Sequence, residues 1–363
     1  MIIKRFKAEG FRNIESCDIT FEKGTNLLLG NNAQGKTNAL EAIYTFARGK
    51  SFRSCEDKEL VGFSKEGFRI YIEYEDKSGE NSLEYAFFGR ERRRKKNGYP
   101  IKSVKEMIGS FRAVLFYPDH LGLVKDSPEE RRAFLNIAIG QCHPAYINCF
   151  SDYKNALENR NCLLKNASKG LFVDRDELNS WSFSLAEYSS YIYYERKEYI
   201  KKLEKYASII MKEISDGKEE LSLVFKSDIY IDIDKREDAV SEYRRILSEN
   251  IDREMIVGTS LYGPHRDDME ILINGKSARH FASQGQQRSV VLAIKLAEGE
   301  VNREIYGEYP VFLFDDVLSE LDSKRKKYLI SGIKDKQIIM SGCEKDTDIN
   351  ADKIIEVSGG EFK

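Results

Sequence analysis

Residues 30–37 have the side chains and the spacing that bind phosphate. They are Gly-Asn-Asn-Ala-Gln-Gly-Lys-Thr, with two glycines, then a lysine and a threonine, between an apolar run and a helical pattern. Glycines let the backbone turn tightly enough for successive N–H groups to surround phosphates, and the helix adds its positive N-terminal end. The motif predicts binding of ATP with Mg²⁺, and the expected binding residues are Gly30, Asn31, Asn32, Ala33, Gln34, Gly35, Lys36 and Thr37. An ordinary glycine-rich turn is the alternative, which the flanking strand and helix patterns disfavour.

Within this motif, two side chains have distinct expected roles. Lys36 contacts the β- and γ-phosphates, which gives it a catalytic role, and Thr37 coordinates Mg²⁺.

A second motif near the C-terminus supplies the acids that hydrolysis requires. Residues 311–314 are an apolar run typical of a buried strand, and Asp315 and Asp316 follow it directly. Hydrolysis needs an acid that holds the metal and a group that orients water. We expect Asp315 to hold Mg²⁺ and Asp316 to polarise the attacking water. A core strand that ends in solvated acids is the alternative, and the phosphate-binding motif favours the catalytic interpretation.

Residues 281–288, about thirty residues before these acids, resemble the signature motif of ABC-type ATPases. Ser283 offers a hydroxyl, Gly285 offers a backbone N–H, and a predicted helix N-terminus adds partial positive charge, so together they can bind a γ-phosphate. Alone, the stretch is equally typical of a polar loop before a helix. Its position between the other two motifs favours the signature interpretation.

In ABC-type ATPases, the signature motif binds the phosphate that a partner subunit holds. The resemblance therefore implies an ATP-dependent homodimer in which two copies meet head to tail and each completes the other's site. Residues 319–322, Ser-Glu-Leu-Asp, resemble the D-loop of the same class.

The pattern of predicted elements divides the chain into three regions. Short strand-like runs fill residues 1 to about 120, helical periodicity dominates from 128 to about 215, and strand patterns return after about 255. One helix has an apolar stripe from Tyr188 to Ile214, which we interpret as facing a core. Asn274-Gly275 predicts a two-residue hairpin turn. These patterns predict a nucleotide-binding domain that is split by a helical insertion.

Composition excludes several classes of protein. The 58 Lys and Arg residues nearly balance 60 Asp and Glu residues, so any nucleic-acid surface must come from local clustering. The six cysteines form no CxxC pair, which predicts reduced thiols. The N-terminus lacks a signal-peptide pattern, and no run of about 18 apolar residues occurs. We therefore expect a soluble cytoplasmic protein without a membrane partner.

Four stretches give the chain a resemblance to the RecF family, bacterial recombinational repair ATPases related to SMC proteins. The most family-specific is the run Gly-Pro-His-Arg-Asp-Asp, because general ABC ATPases lack it. The stretches are residues 10–13 (Gly-Phe-Arg-Asn), the phosphate-binding loop, residues 117–128 running into Arg131 and Arg132, and residues 262–268 ahead of residues 283–287.

The resemblance implies a fold and its domains. The expected class is α/β, an ABC-type (SMC-like) P-loop ATPase head formed by residues 1–125 and 255–363, with an inserted α-helical domain at 126–254.

The resemblance also implies a function. The expected protein is a weak, DNA-stimulated ATPase whose dimer clamps duplex DNA at gaps or single-strand/double-strand junctions. It is expected to act in replication and recombinational repair with RecR and RecO to help load RecA, and to contribute to the SOS response.

Some positions depart from general ABC enzymes. Gln284 stands where transporter ATPases usually have glycine, as in RecF-like proteins, and Asp316 replaces the usual glutamate, so slow hydrolysis is expected. Gln141 is a weak candidate for the Q-loop glutamine, and residues 341–343 contain no switch histidine. Arg12 is expected to approach the phosphates, as the equivalent arginine does in SMC-like heads, although a surface charge is the alternative.

The densest basic run lies at residues 90–96 and runs into Asn97-Gly98, a hairpin signal. Such a run can contact several phosphates without reading bases. A solvated hairpin face is the alternative, and the family resemblance favours DNA. The expected DNA-binding residues are Arg92, Arg93, Arg94, Lys95 and Lys96.

Two other protein classes share part of this pattern. A transporter ATPase subunit would have the three nucleotide motifs with a switch histidine and without the Gly-Pro-His-Arg-Asp-Asp run. An anti-phage-type nuclease ATPase would need a carboxylate-rich cleavage domain after the ATPase. Both are disfavoured by the sequence.

Overall fold

The computed structural model describes residues 1–53, 55–229, 236–332, 335–343 and 350–363, and at 236–238, 319–320 and 330–331 it describes the backbone alone. The strands in these ranges are β1 (Ile2–Phe11), β2 (Ile14–Thr20), β3 (Thr25–Leu29), β4 (Gly67–Asp76), β5 (Gly79–Phe88), β6 (Glu91–Lys96), β7 (Tyr99–Pro100), β8 (Ala113–Phe116), β9 (Leu221–Lys226), β10 (Asp268–Ile273), β11 (Lys276–Ser277), β12 (Val311–Phe314), β13 (Ile338–Gly342), β14 (Lys353–Ser358) and β15 (Glu361–Phe362). The α-helices are α1 (Lys36–Arg48), α2 (Val104–Met107), α3 (Gly122–Lys125), α4 (Pro128–Cys142), α5 (Pro144–Ser168), α6 (Arg175–Ile214), α7 (Arg236–Glu249), α8 (Ile251–Val257), α9 (Ala278–Phe281), α10 (Gln284–Tyr306) and α11 (Ser323–Ser331).

The central sheet has the strand order β15-β14-β3-β13-β12-β8. Its strands are parallel except for β15, which pairs antiparallel with β14. Because the carboxyl ends of parallel strands meet at one edge, the loops after β3, β12 and β13 lie together. This edge brings the two predicted nucleotide motifs to one place.

Two hydrophobic cores lie on opposite faces of this sheet. Leu28 and Leu313 face a core shared with α1 and the antiparallel sheet β2-β1-β4-β5-β6-β7. Leu27 and Phe312 face a core shared with α10 and helices α4 to α6. Side chains alternate between the faces of a strand, so a continuously apolar run is required where both faces are covered.

Helix α6 contains the predicted apolar stripe. Five of its predicted positions are buried and the other two, Tyr188 and Tyr206, pack against the core while partly exposed; the buried ones are Ile192, Tyr199, Leu203, Ile210 and Ile214. The stripe faces a core as predicted. Its burial supports a helix of 40 residues that lies on α5 and α10.

Strand β9 lies within residues 126–254, the range predicted to form the inserted α-helical domain, and beyond the stretch of helical periodicity that ends at about 215. It pairs antiparallel with β10 in the sheet β11-β10-β9, with Leu223 opposite Ile271. Its partner is remote in sequence, so local periodicity did not reveal the pairing. The expected domain boundary between 254 and 255 thus falls between two strands of one sheet.

Both predicted hairpin turns form. At Asn97-Gly98 and at Asn274-Gly275 the residues have positive φ, with values of 51° and 80° and of 49° and 74°. This backbone suits a two-residue hairpin and requires residues that tolerate the left-handed region.

Two buried ion pairs connect the helices to the family-specific run and the residues before it. Arg196 donates to Asp267 at 2.8 Å and to the carbonyl oxygen of Pro264 at 2.5 Å. Arg160 donates to Glu254 at 2.5 Å and to Ser260 at 2.7 Å. These contacts fix residues 254–267 against α5 and α6. No helix in the described ranges is both long and apolar enough to cross a membrane.

Candidate nucleotide-binding site

The phosphate-binding loop connects β3 to α1 at the carboxyl edge of the central sheet. Gly35 has φ of 117°, a conformation that favours glycine, and it immediately precedes the first turn of α1. Lys36 is buried, and its ammonium donates to the carbonyl oxygens of Gly30 at 2.5 Å and Asn31 at 2.9 Å. The loop therefore holds the lysine at the N-terminal end of α1, where phosphate binding is favourable.

Contacts from distant segments fix the tip of this loop. Gln34 accepts hydrogen bonds from the backbone N–H groups of Gly359, at 2.6 Å, and Gly360, at 2.9 Å. The side-chain amide of Asn13 donates to the carbonyl oxygen of Ala33 at 3.3 Å. The loop is thus held from both sides, by the turn after β14 and by the turn after β1.

Asp315 and Thr37 come together as the sequence predicted. The Thr37 hydroxyl and the Ser341 hydroxyl each donate to Asp315 Oδ1 at 2.8 Å. Burial raises the pKa of the Asp315 carboxyl, and these two hydrogen bonds and the charge of Arg53 partly offset that effect.

The cluster fits Mg²⁺, because a hydroxyl and a carboxylate beside the phosphate loop are the hard oxygen ligands that this ion prefers. Thr37 and Asp315 would hold the ion, which would supply positive charge against the phosphates. Ser341 was not predicted as part of this cluster. The signal for it was its place in residues 341–343, where a switch histidine was sought, although the structure puts Ser341 within β13 rather than after it.

Asp316 is held in a strained backbone conformation beside this cluster. Its φ is 50°, and its backbone N–H donates to Ser341 Oγ at 2.9 Å. Its carboxylate Oδ1 lies 3.4 Å from the same hydroxyl oxygen, whose one proton is closer to Asp315. Asp316 thus shares the Ser341 hydroxyl with Asp315, and its role in polarising water stays a prediction.

Arg12 lies near the loop, but its guanidinium is bound to α1. It donates to the fully buried carboxylate of Glu41 at 2.9 Å and 3.2 Å. Arg53 also donates to Glu41, at 3.3 Å, and to Asn38 at 3.0 Å. Contact of Arg12 with phosphate stays a prediction. Glu41 and Arg53 were missed because no motif includes them.

Ser283 begins helix α10 and is exposed. Its hydroxyl accepts from the backbone N–H of Gln286 at 3.3 Å, and Gln286 Oε1 accepts from the Ser283 N–H at 2.8 Å. Arg325 donates to the carbonyl oxygen of Gly285 at 2.8 Å and also pairs with Asp322. The signature motif is therefore joined to the segment that resembles the D-loop.

The signature motif is not joined to the phosphate loop of the same chain. Within the described ranges, no hydrogen bond connects Ser283 or Gly285 with residues 30–37. Of the predicted nucleotide residues, the structure brings together the phosphate loop, Asp315 and Asp316, and leaves the signature at a separate helix terminus.

The weak Q-loop candidate, Gln141, lies away from the nucleotide motifs. Gln141 is buried, and its Oε1 accepts from the backbone N–H of Ala113 at 2.9 Å, at the start of β8. Because the nucleotide motifs follow the carboxyl ends of the strands, Gln141 lies at the opposite end of the sheet and does not suit a Q-loop role.

Cys343 Sγ lies 3.8 Å from Lys36 Nζ and 2.8 Å from Asn32 Oδ1, so a thiol lies beside the phosphate loop.

The predicted DNA-binding residues lie on β6, whose side chains alternate between two faces of the antiparallel sheet. Arg92 and Arg94 lie over the rings of Phe87 and Tyr85, and Arg92 also donates to Asp57 at 2.5 Å. Lys96 donates to Ser110 Oγ at 2.9 Å.

The other two cations of β6 lie on the opposite face of the sheet. Arg93 pairs with Glu91 at 2.7 Å, and Lys95 pairs with Glu84 at 3.4 Å. The five side chains therefore form two groups, of which Arg93 and Lys95 are the pair on the face away from the packed aromatic rings.

The fold and the site together define an ABC-type P-loop ATPase head. Residues 2–361 match the model of the RecF/RecN/SMC N terminal domain. The chain is 40% identical over 337 residues, 93% of its length and 90% of the relative, to the DNA replication and repair protein RecF of Limosilactobacillus fermentum. The corresponding Clostridium kluyveri protein is 38% identical over 361 residues, covering 98% of this chain and 96% of that protein.

Solved structures give the same result. A structure of the recombination mediator protein RecF with ATPrS in the RecFOR pathway has a TM-score of 0.93 and 32% identity and covers 99% of this chain and 97% of that one. The fold is also shared with an Smc head bound to the C-winged helix domain of ScpA, which matches with a TM-score of 0.60 and 18% identity. That match covers 100% of this chain and 96% of the Smc chain. The chain belongs to the RecF family. The predicted family, fold class and ATPase class are confirmed, and ATP with Mg²⁺ is the cofactor of this class.

Proposed function

We propose that the protein is an ATP-dependent DNA-binding protein of recombinational repair and replication. ATP joins two copies head to tail around duplex DNA at gaps or single-strand/double-strand junctions, and weak hydrolysis separates them. The protein acts in the cytoplasm with RecR and RecO to help load RecA, and it contributes to SOS induction. Relatives named DNA replication and repair protein RecF, and a RecF structure placed in the RecFOR pathway, support this proposal.

The observation that carries the dimer is the division of the nucleotide residues into two groups. Lys36, Thr37 and Asp315 form one contiguous cluster, whereas Ser283 and Gly285 lie exposed or half-exposed at the start of α10. A hydroxyl and free backbone N–H groups at a helix N-terminus are suited to a phosphate. A second copy can supply them to the nucleotide held by the first.

The proposed chemistry assigns each group one task. Lys36 and the loop N–H groups bind the β- and γ-phosphates, Thr37 and Asp315 hold Mg²⁺, and Asp316 polarises the attacking water. Ser283 of the second copy stabilises the γ-phosphate. Aspartate reaches less far than glutamate, so turnover is slow and acts as a timer for release from DNA.

The test is the molecular mass in solution with and without a non-hydrolysable ATP analogue. The wild type forms a dimer only with the analogue, Lys36→Met stays monomeric, and Ser283→Arg stays monomeric while it still binds ATP. Asp316→Asn remains a dimer in ATP itself, because ATP is bound and hydrolysis is blocked. Ser180→Arg, at an exposed serine of α6, is the matched control and dimerises normally. Dimers that form equally well without nucleotide would contradict the proposal.

A further inference from the structure

Three cations converge where α1 ends. Arg48 is the last residue of α1, Lys50 follows two residues later, and Lys154 lies on α5. All three line the same groove. Burial and the charges of Arg48 and Lys154 lower the pKa of Lys50, so the three groups are close enough to repel one another.

The three cations have no ion-pair partner within the part of the chain that the structure describes, whereas Arg131 on α4 and Arg160 on α5 each have one. The Arg48 guanidinium donates once, to the carbonyl oxygen of Ser51 at 3.1 Å, and its Nε is buried without a hydrogen-bond partner. The buried Nε of Arg48 is a donor that an acceptor on a ligand can complete, while Lys50 and Lys154 are exposed and accessible to a ligand.

The cations border a groove of about 320 Å³ between α1, α4 and α5. Its walls are largely apolar, and Lys154 Nζ lies 5.5 Å from the centre of the Phe150 ring. The apolar side chains that line it are Ala47, Ile108, Ala133, Ile137, Ile147 and Phe150. An adjoining cavity of about 590 Å³ shares the three cations. Acids also line it, and among the described residues none of them forms an ion pair with the three cations; these acids are Asp119, Asp126, Glu129, Glu130 and Glu298.

We propose that this groove binds a peptide segment of a partner protein in which carboxylates lie beside an apolar side chain. The carboxylates pair with Arg48, Lys50 and Lys154, and the apolar side chain fills the groove. Complementary charge at the rim of an apolar pocket provides specificity and anchoring together. This site does not depend on the nucleotide-driven dimer.

Duplex DNA fits the groove less well. Its phosphates can pair with the cations, but its backbone has no apolar group to cover the walls. The groove also lies at the C-terminal end of α1, roughly 20 Å from the phosphate loop at the other end of a 13-residue helix. A peptide bound there leaves the nucleotide site open.

The experiment measures binding of a fluorescent acidic peptide, made of glutamates with one leucine and one phenylalanine, by anisotropy. We expect the peptide to bind the full-length protein and to bind Lys50→Glu/Lys154→Glu at least about tenfold more weakly. The matched double variant Lys169→Glu/Lys201→Glu is expected to bind the peptide as tightly as the wild type. Both control lysines are exposed: Lys169 directly follows α5, and Lys201 lies on α6. A peptide with serine in place of leucine and phenylalanine isolates the apolar contribution and is expected to bind at least about tenfold more weakly.

Equal binding to both double variants, or none to the wild type, overturns the proposal. So does equal binding of the serine peptide, because the groove would then contribute nothing. Binding of a duplex oligonucleotide is measured in parallel. If the Lys50→Glu/Lys154→Glu change weakens duplex binding and leaves peptide binding unchanged, the cluster is a phosphate-binding surface and the peptide site is refuted.

Discussion

Breaking the buried pair of Arg196 and Asp267 has a predictable cost. Arg196→Met removes two hydrogen bonds from Nη1, to Asp267 and to Pro264, and one from Nη2 to Asn136 at 3.1 Å. Both charged side chains are 1% exposed, so the variant leaves a buried carboxylate without its cation. Removal of one partner from a buried pair costs about 3–5 kcal/mol.

The same helix offers a matched control. Arg175 on α6 pairs with Asp252 at 2.9 Å, and both side chains are more than half exposed. An exposed ion pair contributes about 0–1 kcal/mol, so Arg175→Met is expected to change the free energy of unfolding by no more than that. The two substitutions therefore change the same residue type on one helix. Their effects on the free energy of unfolding are expected to differ by about 2–5 kcal/mol.

The assay is urea unfolding followed by the fluorescence of Trp181, the only tryptophan, which also lies on α6. Arg196→Met/Asp267→Asn is expected to recover part of the loss, because the uncompensated buried charge is gone. Burial already raises the pKa of Asp267. Without Arg196 that pKa rises further, so the carboxyl can stay protonated in the fold and the cost of Arg196→Met shrinks as the pH is lowered towards about 5. Equal costs for Arg196→Met and Arg175→Met would refute the reasoning.

The other predictions concern the hairpin, the half-buried His120 and a thiol. Arg93→Ser/Lys95→Ser is expected to lower duplex affinity and to reduce the slope of log affinity against log salt by up to about 2, and an unchanged slope would place the DNA site elsewhere. Burial, with the charges of Lys295 and Arg48, lowers the pKa of His120 well below 6.5. The neutral imidazole therefore contributes folding stability that is fully present above pH 6.5 and is lost as the pH falls below it, by up to about 1.4 kcal/mol per pH unit. His120→Asn should remove that part of the pH dependence, measured by urea unfolding between pH 5 and 7. Alkylation of Cys343 is expected to lower ATP affinity, and ATP should slow the modification; Cys343→Ser is the control, and a rate unaffected by ATP would contradict the site.

The sequence predicted a phosphate loop and an acid that follows a buried strand because each is a local motif. The structure brings Thr37 and Asp315 together, and their roles at a metal ion stay predictions. The glycine and lysine spacing of residues 30–37 requires a turn before a helix, and the structure has β3, the loop and α1 in that order. The run before Asp315 is apolar throughout, as a strand covered on both faces must be. The positions of Thr37 and Asp315 then followed from the parallel sheet.

Contacts between distant segments were beyond what local patterns can predict. Ser341 reaches Asp315, and Arg53 reaches Glu41, only through tertiary packing, and no spacing in the sequence reveals either contact. Strand β9 was missed for the same reason, because its pairing partner is β10. The basic run was correctly placed on a hairpin, whereas its division between two faces depends on the pairing of β6 with β5.

The central claim, that each nucleotide site is completed by a second copy, is tested most directly by mixing two inactive variants. Lys36→Met lacks a phosphate-binding lysine, and Ser283→Arg lacks a usable signature motif, so neither alone should hydrolyse ATP in the presence of duplex DNA. In a mixed dimer, the loop of the Ser283→Arg copy faces the intact Ser283 of the Lys36→Met copy, and one complete site forms. The account predicts ATP hydrolysis by the mixture that neither variant shows alone. A mixture as inactive as its components, while both variants fold and Ser283→Arg binds ATP, would contradict it.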